Sequence, residues 1–341
     1  MRSGEPLDMS NVHLSFAVGV LASFWSTAAL TQTPPSEALV LEAKIPLGDV
    51  HGRIDHLAVD LNRQRLFVAE LGNDTVGVVD LKERSVALTL AGLKEPQGIG
   101  YVASTDTLYV ASASDGTVRL FQGPNLSPTG RIELGEDADN VRVDETAHEV
   151  WVGYGGGALA VIDTSSHRKI ADLPLKAHPE SFRLETPGQR IFVNVPDAHE
   201  IAVVDRSARK QTASWPNGPL SGNFPLALDA ARQRLLSIFR HPAVLAAFQA
   251  EDGKRIATVE TCGDSDDAFI DGKRNRVYVI CGAGYVDVLE VYGETYQRVS
   301  RVTTLSGART GLFVPEFDRL FVAARARGSA PAAVWEFRPA N

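Results

Sequence analysis

The chain has 341 residues, 44% hydrophobic and 22% charged, a balance that supplies a large core and excludes a disordered chain. Its net charge of −8 argues against the basic face that sequence-independent nucleic-acid binding requires. Two cysteines, Cys262 and Cys281, are too few for a disulfide-dense scaffold.

At the amino terminus, Leu14 to Trp25 is an apolar run as long as a signal-peptide core and too short to span a bilayer. Thr27-Ala28-Ala29 then offers a cleavage site, although only Arg2 and His13 could be positive before the run, and Met9 offers a second start. The expectation is export to the periplasm or the exterior, with residues 1–30 as signal peptide or disordered leader. Residues 31–38, with Pro34-Pro35, read as a short extended linker. The mature chain, expected to be a monomer, then holds no transmembrane span.

From Arg65 the pattern becomes strand, tight turn, strand. Leu66 to Ala69 and Val76 to Val79 are apolar runs around a Gly72-Asn73-Asp74 turn. The strand centre recurs at Phe67, Tyr109, Trp151, Phe192, Leu236, Tyr278 and Phe321, at spacings of 42, 42, 41, 44, 42 and 43 residues. A second anchor, the end of the preceding strand, falls at Asp60, Val102, Asp144, Glu185, Asp229, Asp271 and Pro315. Seven copies at this period predict an all-β, seven-bladed β-propeller of four-stranded antiparallel blades over residues 39–341. The second and third strands of each unit are apolar throughout, as a sheet covered on both faces requires. The fourth, such as Ser85 to Leu90, is more polar and suits a solvent-facing edge. The last unit runs out after three strands, and Leu39 to Pro46 is left over at the start. Pairing the two closes the ring.

Phe67-Val68-Ala69-Glu70, Tyr109-Val110-Ala111-Ser112 and Phe192-Val193-Asn194-Val195 resemble the repeat of the YVTN family of seven-bladed propellers, which includes YncE-like exported bacterial proteins. The resemblance covers roughly residues 39 to 339. It implies the fold and leaves the activity open, because members include binding proteins, surface proteins and lactonase-like enzymes.

In a propeller the inner strands ring a central channel, and the loops leading into them share one face with the hairpins between second and third strands. Those lead-in loops are rich in polar groups. One ring level holds Asp55, Gln97, Asp139, Glu180, Phe224, Asp266 and Thr310, and the next level inward holds His56, Asn140 and Asp267. Loop Asp and Asn are common turn formers, so any single one is as readily structural as functional. Converging carboxylates raise one another's pKa unless a cation lies between them.

Two arrangements would supply that cation. In one, Glu180, Asn140 and Asp267 hold a divalent ion, Ca²⁺ or Mg²⁺ by donor type. Likeness in residue type to lactonase-type propellers implies such a centre, with Asn223 as a further member and with His56 or Asp55 moving a proton. In the other, Arg53 and Arg309 neutralise the acids. Arg53, Gln97, Asp139, Asn223, Asp266 and Arg309 then form a site for a polar small molecule or protein partner, and Arg309 clamps a carboxylate. His51, His56, His178, His199 and His241 are predicted on the same face, and His148 and His167 on the opposite one; no HxH or HExxH spacing points to zinc or copper.

Cys262 precedes the inner strand of the sixth unit and Cys281 ends its second strand. Antiparallel pairing brings both near one face, as a disulfide or as two buried thiols. No GxxxxGK[ST], GxSxG or CxxCH is present. The leading expectation is therefore an exported binding or interaction protein using the acidic channel face. A metal-dependent hydrolase or lyase of lactonase type is the alternative, and nucleic-acid binding, disfavoured by the charge, is the third.

Overall fold

Seven four-stranded antiparallel sheets follow one another along residues 37–341, the part of the chain that the computed structural model describes. The expected leader and almost all of the expected linker lie outside the described residues. Blade one is built from Leu57–Asp60, Arg65–Glu70, Thr75–Asp80 and Ser85–Leu90, in that order from the channel outward. The first strand of every blade packs against the first strand of the next, and blade seven meets blade one in the same way.

Closure is as the strand count requires. Blade seven takes Gly311–Val314, Arg319–Ala324 and Ala333–Pro339 from the carboxyl end, and Leu39–Pro46 from the other. Leu39 pairs with Pro339 and Pro46 with Ala333, antiparallel. Both ends of the described chain are thereby held in one sheet.

The core lies between the blades. Seven apolar clusters occur, each at a junction of two neighbours, such as Phe67, Val76 and Val78 of blade one against Ile99, Leu108 and Val110 of blade two. This explains the unbroken apolar second and third strands, because each has an inter-blade wedge on both faces. The seven strand centres from Phe67 to Phe321 are all buried. Ser85–Leu90 is mostly exposed, as an outer edge.

The recurring Asp at the end of the first strand has a local cause. Asp60 Oδ1 accepts the backbone N–H groups of Asn62 and Arg63 at 3.0 and 3.1 Å, closing the turn into the second strand. Asp144, Asp229 and Asp271 cap the same turn in their blades. The turn also bridges blades: Arg63 reaches Asp106, Arg232 reaches Asn275 and Arg274 reaches Asp318 of the next blade. Turn and hairpin chemistry thus fixes which face each loop occupies, and with it the position of the channel mouth.

Candidate functional site at the channel mouth

The lead-in loops and the second-to-third-strand hairpins do share a face. In blade one, Gly72 of the hairpin donates its N–H to the Arg53 carbonyl at 2.9 Å, and Asp55 N–H reaches Ala69 O at 2.8 Å. A Cβ on Gly72 would fall 2.7 Å from the His51 carbonyl oxygen, so this contact needs glycine. Between blades two and three the approach is closer: a Cβ on Gly98 would meet the Asp139 carbonyl oxygen at 1.9 Å. Gly98 therefore lets the Asp139 loop pack tightly against its neighbour.

These loops surround a cavity of about 250 Å³. Of the residues expected there, Arg53, Gln97, Asp139, Glu180, Phe224, Asp266 and Arg309 line it. Asp137, His178 and Arg240 complete the wall. Arg240 was not legible from loop patterning. It lies on Arg234–His241, which is longer than the corresponding strands of blades one to four, and the 44-residue spacing into this unit was the available signal.

Each guanidinium at the mouth has a carboxylate partner. Arg240 Nη2 lies 2.7 Å from Asp266 Oδ1, and its plane covers the Phe224 ring at 3.6 Å. Arg309 Nη2 lies 2.8 Å from Asp264 Oδ2. Arg53 Nη2 approaches Asp55 Oδ2 to 2.8 Å and Asp266 Oδ2 to 3.9 Å. The Arg53–Asp55 contact has the distance of a hydrogen bond without its angles, and both buried oxygens of Asp55 lack a hydrogen-bond partner, as does Asp139 Oδ1.

Charge is distributed unevenly among these acids. Burial, reinforced by Asp139 and Asp266, pushes the Glu180 carboxyl up to about 8, against the pull of His178 and Arg240. Burial likewise raises Asp55 to about 7, against His56 and Arg53. Burial resists ionisation of Asp139 too, yet His178, His56 and Arg53 hold it below the usual carboxylate range. His178 Nε2 is 3.9 Å from Asp139 Oδ2, so charge attraction rather than a hydrogen bond carries that effect. His178 in turn rises to about 9: burial opposes its charge, and Asp139, its 2.7 Å bond to the Gly155 carbonyl and Asp137 overcome the opposition. At neutral pH the mouth thus mixes a neutral carboxylic acid, ionised carboxylates and cations within one small volume.

One level inward, His56 Nδ1 is 3.4 Å from Asp267 Oδ2, and His56 Nε2 is 3.7 Å from Asp55 Oδ1. Asp267 Oδ2 also accepts the Gly311 N–H at 3.0 Å. Asn140 is buried and its Oδ1 accepts from Arg142 Nη2 at 2.9 Å. Asn223 does not line the mouth. It is buried, accepting from Asn217 at 2.9 Å and donating to the Glu200 carbonyl at 3.0 Å, and so ties its loop to blade four. Glu180 thus lines the mouth while Asn140 and Asp267 lie one level inward, and among the described residues no group of three or more His, Cys, Asp or Glu is placed to hold a metal ion. Of the other histidines, His51 bonds Asp49 and His167 bonds Tyr109.

Cys262 and Cys281 are disulfide-bonded, bridging the loop before the first strand of blade six to the end of its second strand. Among the described residues, no helix is long and apolar enough to cross a membrane.

Comparison with known proteins supports the architecture. No family model matches the chain. Protein NirF of Stutzerimonas stutzeri is 26% identical over 192 residues, which is 51% of this chain and 48% of NirF, so the match spans about half the length of that relative. Among solved structures, hydrazine synthase of Kuenenia stuttgartiensis superposes with a TM-score of 0.71 at 14% identity, over 83% of this chain and 97% of that one. A chain of the mitotic checkpoint complex superposes with a TM-score of 0.74 at 12% identity, over 95% of this chain and 100% of that one. Identities this low show the fold alone.

Proposed function

We propose that the chain is an exported binding protein of the YVTN-repeat, YncE-like kind, and that its channel mouth captures a small zwitterion, a molecule bearing both a carboxylate and an ammonium group. The observation that carries this reading is the mouth cavity itself, where Arg53, Arg240 and Arg309 face Asp139, Asp266 and Glu180. Its volume of about 250 Å³ falls below the range of roughly 300–1,000 Å³ typical of drug-sized ligands, which favours a compact guest. Arg309 is tied to Asp264, a half-exposed carboxylate, and can exchange it for a ligand carboxylate. The carboxylate of Asp139 and the carboxyl of Glu180, both in the cavity wall, supply acceptors for the ammonium end. The apolar run Leu14 to Trp25 and the pairing of Cys262 with Cys281 favour an oxidising, extracytoplasmic home.

A thermal-shift series tests the reading, with free α-amino acids, hydroxy acids and neutral sugars as probes. At least one amino acid should raise the melting temperature, and Arg309→Met should abolish that rise while leaving the ligand-free melting temperature in place. Stabilisation by sugars alone, or by none of the amino acids, would overturn it. A metal-dependent lactonase-type reaction has less support, because Asn140 and Asp267 already spend oxygens on Arg142, His56 and the Gly311 N–H. Insensitivity of any ligand shift to EDTA is the outcome expected on the charge-paired reading.

A further inference from the structure

Beneath the His56–Asp267 pair the channel opens into a second chamber of about 360 Å³. Its walls are the first strands of the blades, and their inward side chains are mainly apolar, Val59, Ile99, Phe269 and Phe313 among them. His56 and Asp267 form its rim as a charge pair, and two arginines, Arg142 and Arg183, interrupt the apolar lining.

These two differ from the arginines of the mouth. Arg53, Arg240 and Arg309 each lie against a carboxylate. Arg142 makes hydrogen bonds only to neutral groups: the carbonyls of Phe182 and Val141, Asn140 Oδ1 and Ser181 Oγ. Those bonds, with the Phe182 ring 5.4 Å below the guanidinium, hold it in one orientation and leave one N–H over from its five. Arg183 makes a single hydrogen bond, from Nη1 to the Phe182 carbonyl at 3.3 Å, and so leaves four N–H groups without a protein acceptor. Burying a guanidinium is costly unless an anion or a full set of acceptors meets it. Burial and the charge of Arg183 together lower the Arg142 guanidinium to about 9, and burial lowers Arg183 as well; Asp267, already engaged by His56 and the Gly311 N–H, pulls both upward without overcoming burial. A bound anion would relieve both effects.

We propose that the inner chamber binds a small carboxylate with an apolar body, the carboxylate on Arg183 and the remaining edge of Arg142, the hydrocarbon against Val59, Ile99, Phe269 and Phe313. Arg183 also borders the adjoining cavity on the far side of the channel, of about 320 Å³, with Leu228, Phe269 and Ile270, so the hydrocarbon has room to extend that way. The apolar walls disfavour an inorganic oxyanion, which would leave them unfilled.

Isothermal titration of the full chain with octanoate tests this, with octanamide and acetate as controls. Octanoate should bind with one-to-one stoichiometry. Octanamide, which has the same body and no charge, and acetate, which has the charge and no body, should each bind at least about tenfold more weakly. Arg183→Met should weaken octanoate by about tenfold or more and leave octanamide unchanged. Absence of octanoate binding, equal affinity for octanamide, or an unaffected Arg183→Met variant would overturn the proposal. If Arg183→Met does not fold, the comparison of octanoate with octanamide on the unaltered protein decides the matter alone.

Discussion

His56 Nδ1 lies 3.4 Å from Asp267 Oδ2 across the channel, although the two residues are 211 positions apart. Burial works against the imidazolium, but Asp267, by charge and hydrogen bond, and then Asp55 push His56 up to about 10. A histidine raised in this way contributes stability that is fully present below its unfolded pKa of about 6.5 and is lost as pH rises through 10. His56→Gln should therefore be less stable than the unaltered protein at pH 6, and the gap should narrow towards pH 10. Urea unfolding at the two pH values measures it; a gap independent of pH would show that the ring is not charged in the folded protein.

Glu180 also loses stability as pH rises, but here it is the charged form that burial penalises. Its folded pKa of about 8 lies above the ordinary carboxylate value, so the folded protein binds more protons than the unfolded chain between about pH 4.5 and 8. Stability from this group falls across that window. Glu180→Gln, which cannot ionise, should match the unaltered protein near pH 5 and melt a few degrees higher near pH 8.5. An equal difference at both pH values would remove the assignment.

Arg240 and Asp266 form the least exposed ion pair of the mouth, at 17% and 10% side-chain exposure. Removing the guanidinium strands a buried carboxylate whose next cation, Arg53, is 3.9 Å away. Arg240→Met should cost about 3 kcal/mol, and Asp266→Asn in the same chain should recover part of that loss. Denaturant titration of the two single variants and the double variant gives the coupling.

Ring closure rests on Leu39–Pro46. Leu39, Ile45 and Leu47 are buried, and exposing three such side chains costs roughly 5 kcal/mol before any lost strand pairing is counted. Deletion of residues 37 to 47 should lower the melting temperature markedly. An unchanged melting curve would mean that blade seven is complete without this strand.

The disulfide has its own measurement. Protein recovered from an oxidising compartment should be lighter, before reduction, by the two thiol hydrogens of Cys262 and Cys281. Closing a loop over a separation of 19 residues stabilises the fold by roughly 3 kcal/mol, so reduction should lower the midpoint of denaturant unfolding accordingly.

The sequence made the blades readable because repetition averages away local ambiguity. One run such as Leu66 to Ala69 is a strand or part of a buried helix; seven at a common period are blades. The loops have no such redundancy. Asn140 and Asn223 sit in the same polar lead-in segments as the mouth residues Asp139 and Phe224, yet they are spent inside the scaffold on Arg142, Asn217 and the Glu200 carbonyl. Arg240 was hidden because it sits on a strand extended past its usual end. Arg142 and Arg183 were hidden because they lie within first strands, where the pattern predicts packing.

By itself, the sequence determined the seven-fold repeat, the closing role of Leu39 to Pro46, the face carrying Asp139, Glu180 and Asp266, and the proximity of Cys262 to Cys281. Each of these follows from period, strand direction and strand count, which are properties of the chain. Only the tertiary structure decided which carboxylates have cation partners, which polar atoms remain without a hydrogen bond, and that two arginines face the inner channel without an ion-pair contact to any acid. Those are properties of distance and desolvation between blades far apart in sequence, and no local pattern records them.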